Sequence, residues 1–387
     1  MRYSFRLAEI LKHEPDPRKR PGTIKAIVAH TGLDRHQVAA LLKSEIKYVP
    51  LQALSAICQY LIDENYAKAE DLPGILFSVE PENFWEMLAM RKRMVMCLGV
   101  RRDIAPEEPG LEFLSASDSI MLGELLSGVT SIGGTAKHRK YPTDGTVAEH
   151  SRPIERANPQ PEFVTQSLVW SPSQSQEKIV NGRAEEAYSE FAAYPGDKSL
   201  VCLGSAKSNP VGEIVIANTF HARPLISQDD VNEPGDRACP FYLRFRDQDP
   251  HPNSMMGGTQ LAKKDKRDKA GIYYETENGN WVLANEQGDP EFVAFLFYVY
   301  REALGRLEMV LGGFSGRATR ALATTLSSRG QEFWENQVIQ SGATVGAYIV
   351  EFEEETKKNA DKSLASEIRA KANIISISNN ALKNRIK

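Results

Sequence analysis

The 387-residue sequence lacks the features that mark most specialised protein classes. No apolar run approaches the roughly eighteen residues that a membrane-spanning helix requires. The opening Met-Arg-Tyr-Ser-Phe-Arg has no apolar core of the kind a secretory leader carries. Cysteine is scarce: Cys58, Cys97, Cys202 and Cys239 lie far apart and form no Cys-x-x-Cys pair. That argues against a disulfide framework or a zinc site and for reduced thiols in a cytoplasmic protein. The histidines (His13, His30, His36, His138, His150, His221, His251) show no ligand spacing, so no metal site is expected. No Gly-x-Ser-x-Gly elbow occurs, and a hydrolase triad has no support. What remains is the profile of a soluble globular chain, 41% hydrophobic and 25% charged, long enough for two or three domains.

Charge is unevenly distributed. The chain carries −4 overall, yet residues 1–50 hold ten Lys/Arg against five Asp/Glu, which leaves about −9 for the remainder. A basic N-terminal module on an acidic body suits nucleic-acid binding by the first part only.

That basic part contains a helix-turn-helix pattern. Residues 5–11 place Phe5, Leu7, Ile10 and Leu11 near a helical stripe, followed by a basic, proline-rich break at 14–22. Thr23 is a candidate N-cap for a helix with Ile24, Ile27 and Val28 inward. Gly32 suits a tight turn after Thr31, and Asp34 is a good N-cap for a second helix buried through Val38, Leu41 and Leu42. Pro50 opens another helix, with Leu51, Leu54, Ile57, Cys58 and Leu61 inward. The run Ala29, Thr31, Gly32, Leu33, Asp34, Val38, Leu41, Leu42, then Val49, Pro50, Leu51, Leu54, Ile57, Cys58, Leu61, resembles the Cro/repressor (XRE-like) class of helix-turn-helix proteins. The resemblance covers residues 1–64 and departs from the class in its long loop at 14–22. It implies binding to double-stranded DNA as a homodimer, with Arg35, His36, Gln37 and Lys43 facing the groove and Lys25, Thr31 and Lys47 nearer phosphate. The alternative is a helical bundle whose solvated residues serve protein contacts.

The body reads as α/β. A helical connector is expected over 65–90, where Trp85 is read as packing. Two short apolar runs, Met94–Gly99 and Leu200–Gly204, look like buried parallel strands, and their likeness raises the question of a duplicated unit. A third unit runs from strand 307–311 through Gly312, Gly313 and Gly316 into a helix. Further strands are expected at 167–170, 241–244, 271–275, 281–284, 292–301 and 347–352. The expectation is an α/β fold: a small all-α helix-turn-helix domain (1–64), then a Rossmann-like α/β domain (91–353) with a mainly parallel sheet, and a polar tail (354–387), either helical or disordered. The body also loosely resembles the Rossmann-like nucleotide sensors of some bacterial helix-turn-helix proteins.

Loops at the C-terminal ends of such strands are where ligands bind. Gly99, Asp118, Gly204, Ser205, Lys207, Asn209, Gly312, Gly313, Ser315 and Arg317 are therefore candidates for a small anionic or nucleotide ligand. No dinucleotide fingerprint or P-loop is complete, and the glycines serve equally well as tight-turn residues. Ser117-Asp118-Ser119 reads as an N-cap or as a pocket lining, and Glu213 as a dipole partner or a general base. Residues 131–160, 171–184 and 249–268 read as exposed loops. The whole points to a cytoplasmic, nucleoid-associated transcriptional regulator with a ligand-sensing body and no membrane contact. The competing reading is a nucleotide or NAD hydrolase with an autoregulatory helix-turn-helix. No cofactor, and no matched nucleophile and base, can be assigned.

Overall fold

The computed structural model describes residues 2–11, 13, 22–43, 48–69, 72, 76–102, 112–138, 163–170, 177–193, 197–204, 208–225, 239–246, 269–301, 305–334, 337–340, 343–354, 370–383 and 385–386. They form two compact units, residues 1–82 and 83–387. Among the described residues no helix is long and apolar enough to cross a membrane.

The first unit is a helical head closed by a two-stranded ribbon. Helices α1 (Leu7–Ile10), α2 (Thr23–Thr31), α3 (Arg35–Leu42) and α4 (Leu51–Asp63) bury Leu7, Ile27, Val38, Leu41, Ile57 and Leu61 against one another. Strands β1 (Arg2–Phe5) and β2 (Phe77–Glu80) pair antiparallel, with Phe5 opposite Phe77. This corrects two expectations. Phe5 belongs to a strand and not to a helical stripe, and 65–90 is not a helical connector. Among the described residues of that stretch, the α-helix is α5 (Phe84–Ala89). The reason is pairing: the alternating Phe-Ser-Val-Glu run finds its partner in Arg-Tyr-Ser-Phe at the far end of the head. The cap position of α2 is also Gly22 and not Thr23, which is the first helical residue.

The second unit is built on a mixed sheet. Strands β3 (Arg93–Arg102), β5 (Phe163–Trp170), β6 (Lys198–Leu203) and β11 (Arg306–Gly313) run parallel in the order β5-β3-β6-β11. Strand β10 (Val293–Arg301) lies antiparallel beside β11, and β13 (Ala343–Glu354) antiparallel beside β10. The far side of β13 is covered by β12 (Val338–Gln340) and β14 (Ala370–Ser376). The short β4 (Glu112–Leu114) continues along the end of β3. The sheet is thus less parallel than expected. Only a few residues join β10 to β11, too few for the crossover that parallel neighbours need, so the pair folds as a hairpin. The tail differs as well: β14 adds an edge strand, and a short helix, α10 (Asn379–Lys383), buries Ala381 and Leu382.

Alternation along β3 shows the layering. Met94, Met96 and Leu98 face α5, α6 (Ala116–His138) and α9 (Gly316–Arg329). Cys97 faces α7 (Glu177–Ala193), α8 (Pro210–Thr219) and a small antiparallel sheet of β7 (Phe241–Arg244), β8 (Gly271–Glu275) and β9 (Trp281–Leu283). Each fully buried Leu, Met or Phe in these layers contributes about 1.5–3 kcal/mol. The chain leaves β3 over one face through α6 to reach β5. It returns over the other face through α7 to β6, on the opposite side of β3. The C-terminal ends of β3 and β6 therefore flank the point where the winding reverses. The four cysteines are free thiols, and Cys97 stands opposite Cys202 in the β3–β6 register. Of the expected loops, 131–138 and 177–184 are helical, while 139–160, 171–176 and 249–268 lie outside the described residues.

Trp85 packs as expected. Its ring meets Phe84 at 5.0 Å, and a Cβ added to Gly128 on α6 would stand 2.3 Å from it. Gly123, on the same helix, is exposed with nothing within 4 Å of such a Cβ. Gly123→Ala should therefore raise stability by about 1 kcal/mol, and Gly128→Ala should lower it by about 2 kcal/mol. Denaturant titration of the two variants, which carry the same substitution on one helix, checks the opposite signs.

Candidate functional site

The turn between α2 and α3 is held by backbone and short polar side chains. Gly32 takes φ 69, and its N–H donates to the Val28 carbonyl at 3.0 Å. A side chain at that φ would be strained, which is why glycine suits the turn. Thr31 Oγ1 donates to Ile27 O at 2.6 Å and accepts from the Leu33 N–H at 3.3 Å, so its hydroxyl is engaged inside the turn. Asp34 caps α3, accepting from the N–H groups of His36 (2.7 Å) and Gln37 (3.3 Å). Those backbone donors, His36 first, hold its carboxyl below the ordinary value of 3.8. Beneath, Val38 and Leu41 are fixed in the core. Arg35 and His36 are exposed and Gln37 half-exposed, all on the first turn of α3; Lys25 and Lys43 are exposed as well. His30 Nε2 lies 3.0 Å from Asp63 Oδ2, tying α2 to α4. Lys47 lies outside the described residues. The result is a rigid helix N-terminus that presents an arginine fork and a carboxamide, the groups that pair with guanine and adenine edges.

In the body, three segments meet where the winding reverses. Asn209 Nδ2 donates to Cys97 O at 2.8 Å and Leu203 O at 3.2 Å, joining the ends of β3 and β6. Gly204 takes φ 95, where a Cβ would stand 2.6 Å from Ser208 Oγ and 3.3 Å from Asp118 Oδ2. A Cβ on Gly99 would stand 1.9 Å from Ser208 O, one on Gly312 would stand 2.5 Å from the Gly204 carbonyl carbon, and one on Gly313 2.3 Å from Thr319 N. Those three glycines lie within β3 and β11, where the chain's own close approach leaves no room for a side chain. Asp118 is only 5% exposed. Burial, opposed by the Ser115 and Ser117 hydroxyls and by Arg101, pushes its carboxyl above the ordinary range.

Residues 18–62 match the Cro/C1-type helix-turn-helix DNA-binding domain family. No curated protein and no solved structure matches the chain. The Cro/C1-type element supports DNA binding by the head, and the resemblance read from residues 1–64 stands within those bounds. The family match does not extend to the body.

The structure brings Gly99, Asp118, Gly204, Asn209, Gly312 and Gly313 together, as expected of loops at strand ends. It commits two other candidates elsewhere. Ser315 caps α9, accepting from the Ala318 N–H and donating to Glu291 O. Arg317 pairs with Asp289 and lies 4.2 Å over the Phe292 ring. Ser205 and Lys207 lie outside the described residues. Helix α6 is capped by Ser115, not by Ser117-Asp118-Ser119: its Oγ accepts from the Asp118 N–H at 3.2 Å and lies 2.9 Å from Ser117 Oγ. Ser115 and Ser208 are the site residues that sequence reasoning passed over, although Ser-x-x-Asp at 115–118 is a legible capping signal. Glu213 accepts from the Leu225 N–H at 3.0 Å, a structural role at the start of α8.

The two aspartates have opposite pH signatures. Asp34 stabilises the head at pH above 3.8, and this contribution is lost as pH falls through its depressed folded value. Asp34→Ala should flatten that acid limb in a melting series against pH. Asp118, raised by burial, is penalised when ionised. Asp118→Asn should therefore raise the melting temperature near pH 7, with the gain vanishing at acid pH where the wild-type carboxyl is protonated in both states.

Proposed function

We propose that this protein is a DNA-binding transcriptional regulator whose body senses a small anionic ligand of the nucleotide class. The observation that carries the DNA-reading half is the Asp34-capped α3, with Arg35, His36 and Gln37 on its exposed first turn within the matched Cro/C1-type element. A single such module binds weakly, and a homodimer on two half-sites about 34 Å apart is the working form. Lys25 and Lys43 add sequence-independent attraction to phosphate.

The sensing half rests on the cluster at the reversal of the sheet. Helices α6 and α9 both begin beside it, and the N-terminal ends of helices favour phosphate. A buried carboxyl such as Asp118 suits a ribose hydroxyl, and Ser115, Ser117 and Ser208 supply further donors and acceptors. Ligand bound there biases the spacing of the two reading heads in the dimer.

Band-shift titration on DNA from upstream of the coding region tests the first half. Arg35→Ala with Gln37→Ala should weaken specific binding by about a hundredfold while leaving the melting temperature in place; equal binding by the double variant would falsify the assignment. For the second half, a nucleotide panel should raise the melting temperature of wild type and leave Asp118→Asn unmoved.

A further inference from the structure

Strand β5 closes one side of the mixed sheet: among the described residues its one partner strand is β3. Phe163–Trp170 includes no charged side chain and no proline, two of the devices by which proteins keep an open strand edge from pairing. Val164, Gln166 and Leu168 share a face with Met94, Met96 and Leu98, their register partners on β3. Those three partners are buried under the helical layer. Val164 and Leu168 are nevertheless 47% and 46% exposed, and Gln166 is exposed. The apolar layer of the core thus runs on past the helices that cover it. On the opposite face α7 packs over β5, and its Arg183 and Glu190 line the cleft against that strand. Ile179, one turn before Arg183, lies on the same side of α7 and is 48% exposed. The edge is bordered by uncovered apolar side chains on both faces.

The residue pattern along the edge identifies its occupant. A two-fold axis perpendicular to a sheet pairs two copies of a strand antiparallel, with one residue facing its own copy. With Gln166 on the axis, Val164 stands opposite Leu168 of the second copy, Thr165 opposite Ser167, and the two carboxamides face each other. Apolar meets apolar on one face and hydroxyl meets hydroxyl on the other, both favourable cross-strand pairs. Centring on Thr165 or Ser167 instead sets Val164 or Leu168 against Gln166. The ladder is about 27 Å long, and with the flank of α7 behind it the strip is about 20 Å deep. The two copies together bury about 1,000 Å², where specific interfaces begin. Both copies use the same edge, so the contact closes as a dimer and does not propagate. We propose that β5 pairs antiparallel with β5 of a second copy about Gln166, joining two bodies into one continuous sheet. This names the contact of the homodimer invoked for the reading heads and rests on that reading for its two copies.

Sedimentation velocity of the full chain, free of DNA, tests it. Wild type is expected to sediment as a dimer. Gln166→Lys and Gln166→Glu each set like charges against their own copy at an exposed position, and each should weaken the dimer by about tenfold or more with the far-UV circular dichroism unchanged. An equimolar mixture of the two variants should dimerise again, which requires residue 166 to face its own copy. The Arg35→Ala, Gln37→Ala variant should sediment as wild type does. A dimer that neither Gln166 variant weakens, or that the mixture does not restore, overturns the β5 contact and leaves the homodimer reading in place. A wild type that sediments as a monomer overturns both.

Discussion

The carboxamide of Asn209 bridges the carbonyls of Cys97 and Leu203 at the ends of two parallel strands whose connections leave in opposite directions. Strand ends at a winding reversal splay and leave carbonyls without ladder partners, and a buried carbonyl without a donor is costly. One side-chain NH₂ satisfies both. With β3 and β6 held together, Ser208 is pressed against Gly99, and Gly204 is left facing Asp118. The end of β11 then closes on Gly204 through Gly312. The polar cluster proposed as a ligand site is a consequence of this clamp.

Buried charge is handled differently at the two ends of the sheet. Toward the N-terminal ends, Glu308 is shared by two arginines and the Tyr188 hydroxyl, so its charge is paid back by partners in contact. At the C-terminal ends Asp118 has hydroxyls and a more distant arginine for company, and burial dominates. A carboxyl kept in that condition lowers stability, which natural chains tolerate chiefly at positions that do something else. In the head the economy is simpler: Asp34 faces solvent and two backbone N–H groups and lies below its ordinary range.

Much of this was legible in the residues. The Thr31-Gly32-Leu33-Asp34 turn carries its own chemistry: a glycine for positive φ and a carboxylate for the free N–H groups of the next helix. Strands β7 and β8 were read at their true bounds, since short apolar runs between turn residues have few alternatives. Strand β2 was not legible, because its partner is at the start of the chain and Phe-Ser-Val-Glu alone is too short to distinguish from a helical turn. The cap of α6 was displaced by two residues because three serines, at 115, 117 and 119, compete for one role. Of the candidates at strand ends, Gly204 faces Asp118, whose Oδ2 a Cβ there would meet at 3.3 Å, while Ser315 and Arg317 are committed to Ala318, Glu291 and Asp289.

Local chemistry thus decided the helix-turn-helix, the alternation of strands with helices, and the placing of glycines at strand ends, because each rests on neighbours within a few residues. Strand order and the meeting of Asp118 with Gly204 and Ser208 came only with the fold. So did the in-register row of Arg93, Lys198 and Arg306. These join residues far apart in the chain, and they follow from which strands pair and which face each crossover takes, not from any spacing along the chain.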